Sequence, residues 1–236
     1  MSVYEIGRRI LSSDVDMHRR LRLSVLFTWL QEAAIAHTEA LGMGRDKTLD
    51  RGILWVVTLQ SARIERLPEY DEQVVLRSWP GRTMHVLFPR YFALETAAGE
   101  PLVRASSLWT LTDLRTRKLV FPERCGVVIE GMETGDELPL PSAPRPLPCT
   151  EARSFTVPYS YVDLNGHMNN ARYLDLAEDL LPAAAEGRPL RSVATEYSRE
   201  LSFGETFDVR WGAEGGSYYI TAGEDKPWFR LRLEYD

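Results

Sequence analysis

METGDELPLPSAPRPLPCTEAR, residues 132–153, is the stretch that decides how the rest of the chain is read. It holds five prolines, a turn-like Thr134-Gly135-Asp136 and no helical or alternating apolar period, which is the composition of a linker. The chain therefore divides into residues 1–131, the linker and residues 154–236, and the same order of patterns stands on both sides. Before the linker, Leu26, Trp29, Leu30, Ala33, Ala34, His37 and Leu41 recur at spacings of three and four and predict a helix. Ser24 is its expected N-cap and Gly42 its stop. Strands are predicted at 53–64, 73–79, 83–94 and 102–112, with turn signals at Pro68 to Asp71, Pro80-Gly81 and Ala98 to Pro101. Pro89 marks the third of these as an edge or bulged strand. After the linker come a short strand at 155–159, a helix presenting Tyr173, Leu174, Ala177, Leu180 and Leu181, and strands at 192–203, 206–212, 218–222 and 228–235. The turn at Ser202 to Glu205 echoes the one at Pro68 to Asp71. One apolar helix and one antiparallel sheet per unit are buried most simply by wrapping the sheet around the helix. Two such sheets side by side give one continuous curved sheet. The rival arrangement is two independent α+β domains on a tether, although a proline-rich linker holds an extended path.

Composition narrows the function classes. With 44% hydrophobic and 26% charged residues, the 236-residue chain is in the soluble globular range. Met1 to Glu5 do not begin a basic-then-apolar leader, and no apolar run nears the roughly 18 residues that span a bilayer, so the expectation is a cytoplasmic protein without a membrane role. A net charge of -6 argues against a nucleic-acid partner. Cys125 and Cys149 make neither a disulfide framework nor a metal spacing. His18, His37, His85 and His167 are scattered, and no glycine-rich phosphate loop is present, so neither metal nor cofactor is expected.

Ahead of the second helix, five polar side chains fall within eight positions: Asp163, Asn165, His167, Asn169 and Asn170. One of the last two serves as a helix cap, which leaves Asp163, Asn165 and His167 without a structural task. If the stretch is extended, alternation puts these three on one face, with Asp163 fixing the Asn165 amide. A helix N-terminus alongside suits an oxyanion on a carbonyl. The bland reading is a polar loop whose Asn and Asp residues only make turns. Asp14-Val15-Asp16-Met17-His18 in the first half reads as a degenerate copy, so one site per chain is expected. On the strand after the helix, Glu196, Ser198 and Glu200 share a face; a carboxylate there, packed against the helix, would be desolvated and suited to take a proton.

Together these residues resemble the acyl-acyl carrier protein thioesterases of plants and bacteria, which are double hotdog folds. The resemblance runs through Leu30 to His37, Ile53 to Thr58, Arg104 to Trp109, Thr116-Arg117-Lys118, Asp163 to Tyr173 and Glu196 to Glu200. It implies an α+β tandem hotdog that hydrolyses the thioester of a fatty acyl chain on acyl carrier protein. Asp163, Asn165, His167 and Glu200 match the family's catalytic residues, with Leu201 where the plant pattern has a cysteine. Glu200 or His167 would activate water, Asn165 and the amides after His167 would hold the oxyanion, and Asp163 would orient Asn165. The acyl chain would lie in the first half, against Leu26, Trp29, Leu30, Ala33, Ile53, Trp55 and Trp109. Acidic carrier protein calls for a local basic face, and closeness in sequence nominates Arg172, Arg191, Arg199 and Arg210. The alternatives are an acyl-CoA thioesterase, a hotdog hydratase and a non-catalytic acyl-binding protein; monomer and homodimer are both open.

Overall fold

A computed structural model describes residues 2–236. Its strands are β1 (Tyr4–Arg9), β2 (Ile53–Ile64), β3 (Gln73–Pro80), β4 (Phe88–Thr96), β5 (Pro101–Asp113), β6 (Glu151–Thr156), β7 (Leu190–Tyr197), β8 (Thr206–Glu214), β9 (Ser217–Ala222) and β10 (Phe229–Tyr235). The helices are α1 (Leu23–Ala40), α2 (Pro122–Cys125), α3 (Arg172–Leu180) and α4 (Pro182–Ala185). All ten strands form one antiparallel sheet in the order β1-β3-β4-β5-β2-β7-β10-β9-β8-β6. Its two halves join where β2 pairs with β7 from Leu59↔Glu196 to Arg63↔Ser192. That shared ladder excludes two tethered domains.

The halves repeat down to single hydrogen bonds. In the first, Asp16 N–H donates to Arg20 O, Arg19 N–H to Asp16 O and Leu21 N–H to Pro68 O. In the second, Asp163 N–H donates to His167 O, Gly166 N–H to Asp163 O and Met168 N–H to Leu201 O. The echoing turns match as well, with Glu69 N–H on Glu72 Oε2 and Ser202 N–H on Glu205 Oε2. Asp16, His18, Arg19 and Arg20 therefore stand where Asp163, Asn165, Gly166 and His167 stand in the second copy.

Several elements depart from the sequence reading. Ser24 is not the cap of α1: the helix starts at Leu23 after Arg22, and Ser24 is buried inside it. Gly42, left-handed at φ 70°, does end it. Pro89 sits in an interior strand, and the ladder tolerates it because the β3 pairing ends at Pro80↔Arg90. Gly81 N–H still reaches Pro89 O at 2.9 Å, so the missing N–H of Pro89 faces the frayed end of β3. β6 begins at Glu151, inside the stretch read as linker. The rest of that stretch crosses the outer sheet face, where Trp79 Nε1 donates to Glu137, Ser106 Oγ to Pro139 O, and Arg232 to Arg145 O. Among the described residues no helix is long and apolar enough to cross a membrane.

Candidate active site

The segment Asp163 to His167 is a tight turn, not an extended strand. Asp163 opens it, Gly166 closes it at φ 81°, and Asp163 Oδ1 accepts the Asn165 N–H at 2.8 Å. Aspartate at the start and glycine in the left-handed region are what such a turn requires. The consequence is a changed role for Asp163. It holds the Asn165 backbone and, through Oδ2, the Asn169 side-chain amide at 3.3 Å, rather than the Asn165 side chain. Asn165 is exposed at the tip and Leu164 beside it is 88% exposed. Asn169 Oδ1 accepts the Ala171 N–H at 2.9 Å in the turn that leads into α3, whose N-cap residue Ala171 has no side-chain cap.

His167, at the foot of the turn, bridges to Ser202, and this brings it to Glu200. His167 Nε2 lies 3.4 Å from Glu200 Oε2, and Glu200 Oε1 lies 3.2 Å from Arg117 Nη1. Glu200 is not on a strand face, because β7 ends at Tyr197 and the chain bends where Ser198 and Arg199 both donate to Trp228 O. Its side chain is 42% exposed and flanked by a cation instead of being sealed against the helix. Arg117 has no role in the sequence reading. It follows the turn that Asp113 caps, with Asp113 Oδ1 accepting from Thr116 N–H at 2.6 Å, and its own φ is 56°. A non-glycine residue held there is strained, and such strain gathers at functional sites.

Of the amides after His167, two are committed, since Met168 N–H donates to Leu201 O and Asn169 N–H to Tyr161 O, while the N–H of Asn170, which borders the cavity, has no acceptor among the described residues. Behind them Tyr197 OH donates to Asn170 O at 3.0 Å, and Asn170 Nδ2 approaches Gln60 Oε1 at 3.4 Å, which ties the start of α3 to the sheet. Burial pushes the Tyr197 phenol up, so it acts as a neutral donor.

Asp163, Asn165, His167, Glu200 and Arg117 all border one cavity of about 820 Å³. From this polar mouth it runs between α1 and the sheet of the first half, past Ile53, Trp55, Val57, Phe88 and Trp109. Three of the seven nominated acyl contacts, Ile53, Trp55 and Trp109, therefore line it. Leu26, Trp29, Leu30 and Ala33 do not; they are buried in the core, and α1 turns Gln31, Ala34, Ile35 and Thr38 to the cavity. The nominated residues and the lining residues form two stripes of one helix, and the inward stripe is the more apolar. Of the four arginines, only Arg199 borders the cavity, ion-paired to Glu205 at 2.6 Å and stacked on Trp228. Arg172 is bound to Asp175, Arg191 to Asp236 and Glu65 O, and Arg210 to Gly223 O.

The far wall holds a second polar group. Arg90 on β4 is 4% exposed and donates to His37 Nδ1 at 2.9 Å, Thr38 Oγ1 at 2.7 Å and, more weakly, Ser78 Oγ at 3.4 Å. Burial, with the Arg90 charge adding to it, lowers His37 to about 4, so the ring is neutral and Nδ1 accepts. Burial also lowers Arg90, to about 9.

Residues 2–123 match the family model of the acyl-ACP thioesterase N-terminal domain, and residues 147–225 that of the acyl-ACP thioesterase C-terminal domain. The chain belongs to the acyl-ACP thioesterase family. Among relatives in the family, a chloroplastic acyl-[acyl-carrier-protein] hydrolase of Cuphea viscosissima is 27% identical over 84% of this chain and 52% of its own length. A chloroplastic palmitoyl-acyl carrier protein thioesterase of Arabidopsis thaliana is 25% identical over 98% of this chain and 61% of its own. The chain thus spans about half to three fifths of these plant relatives. An acyl-ACP thioesterase structure from Bacteroides thetaiotaomicron superposes with a TM-score of 0.87 at 20% identity, covering 99% of this chain and 98% of that one. The 12:0-ACP thioesterase of Umbellularia californica gives 0.82 at 23% identity, covering 99% and 97%. These likenesses establish the double hotdog fold.

Proposed function

We propose that this chain hydrolyses the thioester between a fatty acyl chain and acyl carrier protein, in the cytoplasm, releasing free fatty acid and ending elongation. The observation that carries the reading is the His167–Glu200 pair at the polar mouth of an otherwise mostly apolar cavity. A water held by either group is within reach of the other, so one of them takes its proton as the oxygen attacks the thioester carbonyl. Hydrolysis then needs no nucleophilic side chain. This agrees with Leu201 standing, buried, where the plant pattern has a thiol, and with Cys125 and Cys149 lying outside the cavity lining. With the Met168 and Asn169 amides committed, the donors available to an oxyanion are the Asn170 N–H, the Asn165 side chain and the Arg117 guanidinium. Asp163 positions the Asn165 side chain by fixing the turn.

Carrier protein would meet the mouth through residues on its rim. Arg115, Arg117 and Lys118 are exposed on the turn that delivers Arg117, and Arg199 stands on the opposite lip. They replace Arg172, Arg191 and Arg210 as the basic face in this reading. The test is release of free thiol from carrier protein and coenzyme A thioesters of the same acyl chain, with wild type and Glu200→Ala. Turnover of the coenzyme A ester alone would reassign the partner, and an undiminished rate in Glu200→Ala would sink the role given to that carboxylate.

A further inference from the structure

Arg90 is a cation without an anion. Its bonded partners are an imidazole and two hydroxyls, and among the described residues no carboxylate makes an ion pair with it. A buried charge left unpaired is costly, and neutral acceptors offset only part of that cost. The position explains why this matters for the cavity. Arg90 pairs with Ser107, Ser107 with Gln60 and Gln60 with Thr195, so the four side chains form one inward-facing polar row across β4, β5, β2 and β7. Gln60 is bonded to the Asn170–Tyr197 group at the mouth, and Arg90 stands two strands further in, roughly 10 Å at the usual strand spacing. Both Asn170 and Arg90 line the cavity, which therefore has a polar group at each end.

Trp55 borders the cavity with its ring, while its indole Nε1–H is turned away from that space, buried and without an acceptor among the described residues. Its ring packs edge-on against Phe88 at 4.7 Å, and Phe88 is two positions before Arg90 on β4. A hydrocarbon chain filling the cavity would strip water from around the guanidinium and offer its charge nothing in return. A chain carrying an oxygen there would place an acceptor beside that charge.

We propose that the inner wall of the cavity is a recognition site, anchored on Arg90, that selects acyl chains bearing a distal oxygen acceptor, a terminal carboxylate or hydroxyl, over plain chains of equal length. This rests on the reading of the cavity as an acyl site and adds a substrate class to it. A hydrogen bond to a charged group, set against leaving that group unpaired, corresponds to a preference on the order of 10- to 100-fold.

Two measurements test it. The first is kcat/KM for thiol release from matched plain, ω-hydroxy and ω-carboxy acyl thioesters across a range of lengths. The second is binding of the corresponding non-hydrolysable acyl-pantetheine thioethers, followed by the fluorescence of Trp55 and Trp109. Wild type is expected to favour the oxygenated member at the lengths that reach Arg90, the carboxylate above the hydroxyl if charge dominates. Arg90→Met is expected to erase that ratio. Plain chains equal to or better than oxygenated ones at every length, in both measurements, overturn the proposal; so does an unchanged ratio in a folded Arg90→Met protein. If Arg90→Met does not fold, the wild-type ratios in the two measurements decide. Thioether discrimination without thiol release from any ester would sink the hydrolase reading and leave this one standing.

Discussion

Replacing Asp163 separates what the turn contributes to the chemistry from what it contributes to the fold. In Asp163→Ala, the Asn165 N–H loses an acceptor at 2.8 Å and the Asn169 amide one at 3.3 Å. The turn is at the surface, where water replaces part of what is lost, so the two together amount to about 1–2 kcal/mol. For a chain of this size that lowers the melting temperature by roughly 2–8 °C. The effect on rate should be far larger in proportion. The Asn165 side chain is then no longer held in place, and loss of one preorganised oxyanion donor costs on the order of 100-fold in kcat. Asp163→Asn keeps an oxygen for the Asn165 N–H but turns its own NH2 toward that of Asn169, so it should lie between alanine and wild type. The assay is thiol release at saturating substrate, paired with calorimetry on the same samples. A double-mutant cycle with Asn165→Ala completes it: if Asp163 acts through Asn165, the double variant is no slower than Asn165→Ala alone. Asp163→Ala turning over within threefold of wild type, with the expected drop in melting temperature, would refute the positioning role and leave only a structural one.

Gly166→Ala should cost about 1 kcal/mol in chemical denaturation, because φ is 81° while an added Cβ meets nothing within 4 Å; Gly166→Asn, which tolerates that region better, should cost less. Glu178, raised to about 8 by burial and by the nearby Asp175 and Asp16, keeps its proton in the folded chain after the unfolded chain has released it near 4.5. Stability should therefore fall between about pH 4.5 and 8, and Glu178→Gln should melt higher than wild type at pH 9 but not at pH 4. His37 works from the other side: lowered to about 4, it refuses a proton that the unfolded chain accepts near 6.5, so wild-type stability should also decline as pH falls through that interval. Raising salt should slow turnover of carrier protein thioesters and spare acyl-pantetheine, since only the former docks on the rim through Arg115 and Lys118; equal slowing of both would count against that docking face.

The strand limits of β2 could be read to the residue, because its apolar run is long and bounded by Gly52 and by the turn at Pro68. The inner edge of the site was harder. Asp163 to Gly166 carries a turn signature, aspartate first and glycine fourth, that competes with alternation, and the turn won. Alternation also fails at Glu200, where two consecutive amides converge on Trp228 O, a long-range bond that no local pattern announces. Sequence proximity does not bring the arginines together for the same reason: Arg191 and Arg199 are eight positions apart, and β7 separates them at its opposite ends. Arg117 was within reach, as Thr116-Arg117-Lys118 belongs to the resemblance, but its partner Glu200 is visible only in three dimensions.

Why one chain with two copies of the unit has one candidate site follows from comparing equivalent positions. Asp16 repeats the job of Asp163, accepting the N–H of His18 as Asp163 accepts that of Asn165, and Arg19 at φ 66° takes the left-handed place of Gly166. The backbone is thus conserved while the chemistry is not. Arg20 replaces His167; it pairs with Asp16 at 3.3 Å and donates to the carbonyls of Gly187 and Arg188. Leu67 replaces Glu200, so the first copy has no imidazole–carboxylate pair at these two positions. The space is gone as well: the pocket bounded by Asp16, Arg20 and Leu67 is about 20 Å³, against about 820 Å³ for its counterpart. In the first copy the turn instead clamps the segment after α4, with His18 Nε2 3.0 Å from Ala185 O. An added Cβ on Gly187 would come within 2.8 Å of the His18 ring at φ 70°. The same loop therefore acts as a strut in one half and as the edge of the candidate site in the other, and the difference lies in three side chains, at positions 18, 20 and 67, and the volume in front of them. Restoring His and Glu at positions 20 and 67 should leave the protein inactive at that end, because an acyl chain would still have nowhere to lie.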